Sequence, residues 1–164
     1  MCVNSLFIEK SFIKKVSESI IIAISSGLSG TFNAISNIAS DVEGLTIKVF
    51  DTKNISLGSG LLAVKAAQMV KEGHSFDEIT TAIDQSMSKS KVFFTVGTLD
   101  YLIRGGRIGL VAGSIANMLN IKPVISCNQD GIYHTIAKVR GYKRVLRRMI
   151  DEAAQFASDS SSCV

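Results

Sequence analysis

The first half of the chain alternates short apolar strands with helical patterns, and this order restricts the fold more than any other feature. Ser19–Ile24 is a continuous run rich in β-branched residues, and Leu45–Phe50 is a second strand candidate. Each is followed by apolar residues at helical spacing, in Thr31–Ser40 and Ser56–Lys71. Strands separated by helices favour a right-handed unit with parallel strands, whose following loops meet at one edge of the sheet. We therefore expect ligands to bind at that edge.

The second half of the chain has a different character. Ser75 predicts the start of a helix over 76–87, and the sequence KVFFTV at 91–96 predicts a third buried strand. Paired glycines between short helical patterns in 97–122 indicate a hinge or a second lobe. After Pro123, two apolar runs separated by an Asp-Gly pair predict an antiparallel hairpin.

These patterns together predict an α/β fold in two lobes. The N-terminal α/β lobe, residues 1–98, has a partly parallel sheet with flanking helices. The smaller α+β lobe, residues 99–164, contains the antiparallel hairpin and an amphipathic helix over 143–156. Both lobes are expected to be partial.

Composition and charge argue against several classes of function. Apolar residues make up 46% and charged residues 20% of the 164 residues, as in globular proteins. The net charge of +4 is too small to predict nucleic-acid binding. No apolar run approaches the roughly 20 residues that span a bilayer, so we expect no stable membrane insertion. Neither a secretion signal nor CxxC spacing is found, so we expect a cytoplasmic protein without a metal or another cofactor.

The turn between the first strand and the first helix is the strongest candidate site. Its sequence, SSGLSGT, gathers hydroxyls and free backbone N–H groups at a helix start, an arrangement that binds carboxylate or phosphate oxygens. Its glycines would allow unusual backbone angles or a close approach of the ligand. The alternative is a well-capped helix without a ligand, because serine and threonine are favoured caps in any protein. The candidate binding residues of this turn are Ser25, Ser26, Gly27, Ser29, Gly30 and Thr31.

Two well-known catalytic and nucleotide-binding motifs do not fit this turn. A Walker A loop needs a lysine directly before its last serine or threonine, and Gly30 occupies that position. In a nucleophile elbow, G-x-S-x-G, the second glycine would come one residue later than Gly30. His74 and His134 are not tied by spacing to a nucleophile, so we interpret both as structural residues.

A second candidate cluster consists of a Gly-Gly pair between two arginines. Arginine side chains can hold an anion with a planar fork, or they can join the two lobes through salt bridges. The sequence leaves both interpretations open. The residues of this cluster are Arg104, Gly105, Gly106 and Arg107.

Four motifs, in order and spacing, resemble those of the DegV family. They are SSGLSGTF at 25–32, TLDYLIRGGRI at 98–108, LNIKP at 119–123, and a hairpin that runs from Gly131 to the K-x-RG sequence at 138–141. The resemblance covers about 19–148. It implies a two-lobe α/β protein that binds a long-chain fatty acid between its lobes.

The resemblance also implies how such a protein works. The fatty-acid carboxylate would lie at the SSGLSGT turn, and we assign its contact to Ser26 first and to Ser25 second. The protein would present the fatty acid to a separate fatty acid kinase and would itself catalyse no reaction. Family members continue beyond this chain at both ends, where a further carboxylate-binding segment and a binding-site histidine are expected. Neither His74 nor His134 takes the place of that histidine.

The acyl chain would need an apolar slot, and each candidate for it could equally be an ordinary core residue. Four glycines would let the backbone approach the acyl chain closely, although glycine also simply ends helices: Gly105, Gly106, Gly109 and Gly113. The slot candidates are Leu28, Leu61, Ile103, Ile108, Leu110, Val111, Ile115, Met118, Leu119 and Ile121.

Two other functions remain open at this stage. The same turn could belong to an enzyme that acts on a small phosphorylated metabolite. Alternatively, the chain could be a fragment that has lost ligand binding. A basic stretch of the last helix could bind the kinase or anionic lipid, or could form a solvated face. Its residues are Lys143, Arg144, Arg147 and Arg148.

Overall fold

The computed structural model describes residues 16–114 and 121–159. Two sheets and their helices form a mixed α/β fold, which confirms the predicted fold class. In chain order the elements are β1 (Glu18–Ala23), α1 (Thr31–Ser40), β2 (Thr46–Asp51), α2 (Leu57–Glu72), α3 (Phe76–Met87), α4 (Asp100–Arg104), a 3₁₀ helix (Gly109–Ser114), β3 (Ile121–Cys127), β4 (Tyr133–Arg140) and α5 (Tyr142–Asp159).

The first sheet is the parallel pair β1–β2, with α1 as the crossover between them. The register runs from Glu18 opposite Thr46 to Ala23 opposite Asp51. Parallel strands need a long connection, and the ten residues of α1 supply its helix. Both strands therefore end at the same edge, as the sequence predicted, and the loops that follow them lie side by side.

Apolar side chains of β2, α2 and α3 form the first core. Phe50, Ala66, Ile79 and Ile83 are buried in contact with one another, and residues of β1 pack against them. α2 ends at Gly73 in the left-handed conformation, and Ser75 begins α3 with a capping box. These helix boundaries follow the sequence prediction because a glycine and a serine satisfy the exposed backbone groups at the two ends.

The prediction of a third buried strand at 91–96 is wrong. This segment joins neither strand of the parallel sheet and makes a single antiparallel bridge, between Phe94 and Ile125 of β3. The two N···O distances of the bridge are 3.0 and 2.8 Å. Residues 92–96 are half-buried, and Phe94 packs edge-on against Tyr133 of the hairpin at 5.2 Å between ring centroids. The segment therefore packs against the hairpin instead of forming the predicted strand.

The second sheet is the predicted antiparallel hairpin, β3–β4. Its pairs run from Ile121 opposite Arg140 to Cys127 opposite Tyr133, with a bulge after Val124. Val111, Ile125, Cys127 and Tyr133 form the buried core of this region. α5 packs on the outer part of the hairpin and buries Val145.

The turn of the hairpin is held by one asparagine. The side-chain Oδ1 of Asn128 accepts the N–H groups of Asp130 at 3.1 Å and Ile132 at 2.9 Å. Gly131 adopts a φ of +75°, which side chains with a Cβ rarely tolerate. The Asp-Gly signal thus marks a tight turn, and this turn points at the loop that follows β1.

Candidate functional site

Ser25 is a structural residue of the turn rather than a free hydroxyl. It is fully buried, and its Oγ donates to the carbonyl oxygen of Gly131 at 2.8 Å. The same Oγ accepts the N–H of Gly27 at 3.1 Å. Its own N–H donates to the carbonyl of Asn54 at 2.8 Å. Ser25 therefore ties the turn to the hairpin and to the loop after β2.

Ser26 is half-buried and faces the open side of the turn. Its backbone N–H donates to Asp51 Oδ1 at 3.0 Å, and its Oγ accepts from Lys53 Nζ at 2.9 Å. Both partners belong to the end of β2 and the loop behind it. The structure thus separates the two neighbouring serines, one fixed in the interior and one beside an open cleft.

The start of α1 has backbone N–H groups for which the described residues provide no acceptor. Gly30 is its N-cap residue and provides no side-chain cap. The Ser29 and Thr31 hydroxyls are hydrogen-bonded to each other at 2.7 Å, and Ser29 Oγ also accepts the N–H of Thr31 at 3.3 Å. Among the residues that the structure describes, the N–H groups of Phe32 and Asn33 have no acceptor. A helix start of this kind offers donors to an anion.

The two glycines of the turn differ in what they allow. Neither has a positive φ. A Cβ on Gly27 would come within 2.6 Å of the carbonyl oxygen of Asp130, whereas one on Gly30 would meet open space. Gly27 is therefore required for the close approach of the hairpin turn, a reason that the sequence alone did not suggest.

An open cleft of about 320 Å³ brings the two predicted clusters together. Arg107 lies on it and donates from Nε to the Leu28 carbonyl at 3.3 Å and from a terminal nitrogen to the Gly105 carbonyl. This arginine thus joins the clusters through main-chain oxygens. Arg104 and Gly105 do not line the cleft. The lining residues are Ser26, Gly27, Leu28, Ser29, Gly30, Gly106, Arg107, Gly109 and Ile132.

The candidates for an apolar slot have three different environments. Val111 is completely buried in the core, and Leu28 and Ile108 pack against the same cluster. Leu61, Ile103 and Leu110 are all more than half exposed, and Ile121 is half-buried in β3. Of the described members of the set, Leu28 lines the cleft. Ile115, Met118 and Leu119 lie outside the described residues.

Asp51 and Lys53 are the site neighbours that the sequence analysis missed. The carboxylate of Asp51 pairs with Lys53 Nζ at 2.8 Å, and both residues contact Ser26. Their signal was present in the order of the elements, because residues after adjacent parallel strands meet at one edge. Lys53 also has a φ of +50°, an unusual conformation for a residue other than glycine.

The charge of Asp51 is stabilised by its hydrogen bonds. Burial by itself raises the pKa of this carboxyl group, but hydrogen bonds from Lys53 and Ser26 outweigh burial and hold the pKa below its ordinary value of 3.8. Because the folded-state pKa is the lower one, Asp51 contributes its full stabilisation above about pH 4. That contribution is lost as the pH falls through the folded-state pKa.

We expect Asp51→Asn to reduce the dependence of stability on acid. Asparagine has no carboxyl group that acid could protonate. The free energy of unfolding of the variant should therefore fall less steeply below about pH 4 than that of the unchanged protein. Urea unfolding at a series of pH values measures both slopes. Equal slopes in the two proteins would contradict the assignment of an ionised Asp51 to this hydrogen-bonded position.

The fold and cleft define an α/β protein with a candidate site at the carboxyl edge of a parallel strand pair. The family model described as "Uncharacterised protein, DegV family" matches residues 5–163. This chain belongs to the DegV family. Among the helices of 16–114 and 121–159, none has the length and apolar character needed to cross a bilayer.

Relatives and solved structures agree with this membership. The chain is 45% identical over 139 residues to a DegV domain-containing protein of Clostridium acetobutylicum, covering 85% of this chain and 50% of that protein. One solved structure shows the fatty acid binding of a DegV family protein from Thermus thermophilus. It matches this chain with a TM-score of 0.81 at 27% identity, and the match covers 90% of this chain and 52% of that one. A fatty-acid-binding DegV family protein from Streptococcus agalactiae matches at 0.81 and 31% identity, covering 90% and 52%. The chain thus spans about half the length of the relatives it matches.

Proposed function

We propose that this chain is part of a carrier that binds a long-chain fatty acid, with the carboxylate at the turn between β1 and α1. The observation that carries the proposal is the open cleft beside Ser26, together with the unpaired N–H groups at the start of α1. Membership of a family with fatty-acid-binding members supports the choice of ligand. Ser26 is the proposed hydroxyl contact, while Ser25 supports the turn from the interior.

In the proposed site, the acyl chain and the carboxylate of the ligand have different roles. Each methylene group that leaves water contributes about 0.8 kcal/mol, so the acyl chain supplies most of the affinity. The polar turn fixes the position of the carboxylate. Leu28 and Ile132 are the larger apolar side chains that line the cleft at the described residues, and they mark where the acyl chain leaves the turn.

The remaining candidate residues have different roles in this proposal. Arg107 supplies a positive charge at the rim of the cleft, next to Gly106. Arg104 ends α4, and Gly105 follows it and accepts a hydrogen bond from Arg107. Ser29, Gly30 and Thr31 form the helix start, and Gly27 admits the hairpin.

The proposed carrier performs no chemistry and passes its ligand to a separate fatty acid kinase. The exposed basic residues of α5 are a candidate surface for that partner. One of them, Arg148, already pairs with Glu152 at 2.6 Å. A kinase with an acidic surface would meet the remaining positive charges of this helix, and such an interaction would weaken with salt.

Lipid extraction tests the proposal directly. The protein purified under native conditions should release fatty acids that mass spectrometry identifies, and added fatty acid should raise its melting temperature. A phosphate ester of a small alcohol is the comparison ligand, because the same turn could serve an enzyme of phosphorylated metabolites. Stabilisation by the phosphate ester alone would favour that enzyme. Stabilisation by neither ligand, with no lipid extracted, would indicate a fragment without ligand binding.

A further inference from the structure

Two loops from neighbouring strands meet at the proposed head-group site. One is the turn after β1, and the other is the loop after β2, which carries a charged pair. Asp51 Oδ1 accepts the backbone N–H of Ser26 at 3.0 Å, and Lys53 Nζ lies 2.9 Å from Ser26 Oγ. Asp51 Oδ2 pairs with Lys53 Nζ at 2.8 Å. Both the main chain and the side chain of Ser26 are therefore held by one ion pair.

The chemistry of the lysine fixes the direction of its hydrogen bond to Ser26. An ammonium group has three donors and no acceptor, so Ser26 Oγ must be the acceptor in this contact. The Ser26 side chain also forms a hydrogen bond with the Asp51 carboxylate, so the hydroxyl is held between both members of the ion pair, beside the cleft that Ser26 lines. Lys53 uses two of its three N–H groups on Ser26 and Asp51, and its side chain is 45% exposed. The ion pair thus fixes a serine at the edge of the cleft, with an ammonium group directly beside it.

The backbone of Lys53 adopts an unusual conformation that a hydrogen bond to Asp51 stabilises. Its φ of +50° is uncommon for a residue with a Cβ, and such conformations cost free energy. Asp51 Oδ1 compensates by accepting the N–H of Lys53 at 3.2 Å, in addition to that of Ser26. The same carboxylate thus holds the strained residue and the serine at once.

We propose that Lys53 is a positioning residue of the head-group site, which acts through Ser26 and makes the turn selective for a carboxylate over uncharged lipid head groups. The inference rests on the proposed fatty-acid function and deepens it. Lys53 fixes the Ser26 side chain at the edge of the cleft and places a positive charge beside the position proposed for the ligand carboxylate. A hydrogen bond to a charged group is stronger than one to a neutral group, so the lysine favours the anionic ligand.

Binding of oleate and of oleyl alcohol to variants of the full 164-residue chain tests this inference. The two probes share the acyl chain and differ in the charge of the head group. Lys53→Met should weaken oleate binding about tenfold and change oleyl alcohol binding less than about twofold, because the positive charge of Lys53 acts on the anion alone. Lys53→Arg keeps the positive charge and the donors and should stay within about threefold of the unchanged protein for oleate.

A second lysine on the same protein provides the matched control. Lys65 Nζ also donates to a serine hydroxyl, that of Ser86, at 2.9 Å, and it does not line the cleft. Lys65→Met should leave the affinities for both probes unchanged. The double variant with Ser26→Ala should lose less oleate affinity than the two single variants predict together, because Lys53 acts through Ser26.

The outcomes separate this inference from the function on which it rests. Failure of the unchanged protein to bind oleate would overturn the proposed function and this inference with it. Normal oleate binding by Lys53→Met would overturn the inference alone. An equal loss for oleate and oleyl alcohol would also overturn it, since that result would show a purely structural role for the lysine.

Discussion

Replacing Gly131 with alanine is expected to lower the free energy of unfolding by about 3 kcal/mol, since overpacking and an unfavourable backbone conformation act together. The new Cβ would lie 1.9 Å from Ser25 Oγ and 3.1 Å from the Cα of Lys53, and the φ of +75° disfavours any Cβ. The hairpin turn would have to move away from the loop after β1. Thermal unfolding followed by circular dichroism should show a midpoint lower by about 10 °C.

Gly141 is the matched control for this substitution. It has a similar φ of +88°, but a Cβ there would meet open space. Gly141→Ala should therefore cost only about 1 kcal/mol, from the backbone conformation alone. Ser25→Ala removes the atom with which the new methyl group collides, so the double variant Ser25→Ala/Gly131→Ala should lose less stability than the sum of the single variants. Equal costs at the two glycines would show that the close contact is relieved without strain.

Ser26→Asp is expected to weaken binding of a fatty acid more than about 100-fold, because like charges brought into contact cost several kcal/mol. The new carboxylate would occupy the place proposed for that of the ligand and would pair with Lys53, whose Nζ is 2.9 Å from the present hydroxyl. Stability should change little, since Ser26 is half-buried at an open cleft. Titration with oleate, monitored by calorimetry, measures the effect.

The control places the same charge outside the cleft. Thr81 is exposed on α3, and Thr81→Asp should keep the affinity of the unchanged protein. Ser26→Asp should also retain the binding of oleyl alcohol better than that of oleate, since the neutral ligand is not repelled. Undiminished oleate binding by Ser26→Asp would remove the carboxylate from this turn.

The fold was predictable where the signal was local. The β-branched run before SSGLSGT, the helix start at Thr31 and the Asp-Gly turn each specify their own conformation within a few residues. The parallel pairing of β1 with β2 then follows from the helix between them. The strand prediction for 91–96 was wrong because an apolar, β-branched composition indicates an extended chain but does not indicate which strand it pairs with.

The site was predictable only in part, for the same physical reason. The sequence located the turn and its hydroxyls, but it could not tell that Ser25 faces the interior and Ser26 the cleft. That difference depends on the carbonyl of Gly131, far away along the chain. The contact between Lys53 and Ser26 was equally hidden, because a lysine after a strand gives no local signal of the residue that it contacts.

The hydrogen bond between Ser25 and Gly131 also determines when, during folding, the turn after β1 can reach its final shape. Its two residues are separated by 106 positions, so the turn after β1 acquires its final shape only when the hairpin has formed and docked. During synthesis, the first strand and helix leave the ribosome long before Gly131 does. The proposed ligand site is therefore completed late in folding, once the carbonyl oxygen of Gly131 accepts the hydroxyl of Ser25.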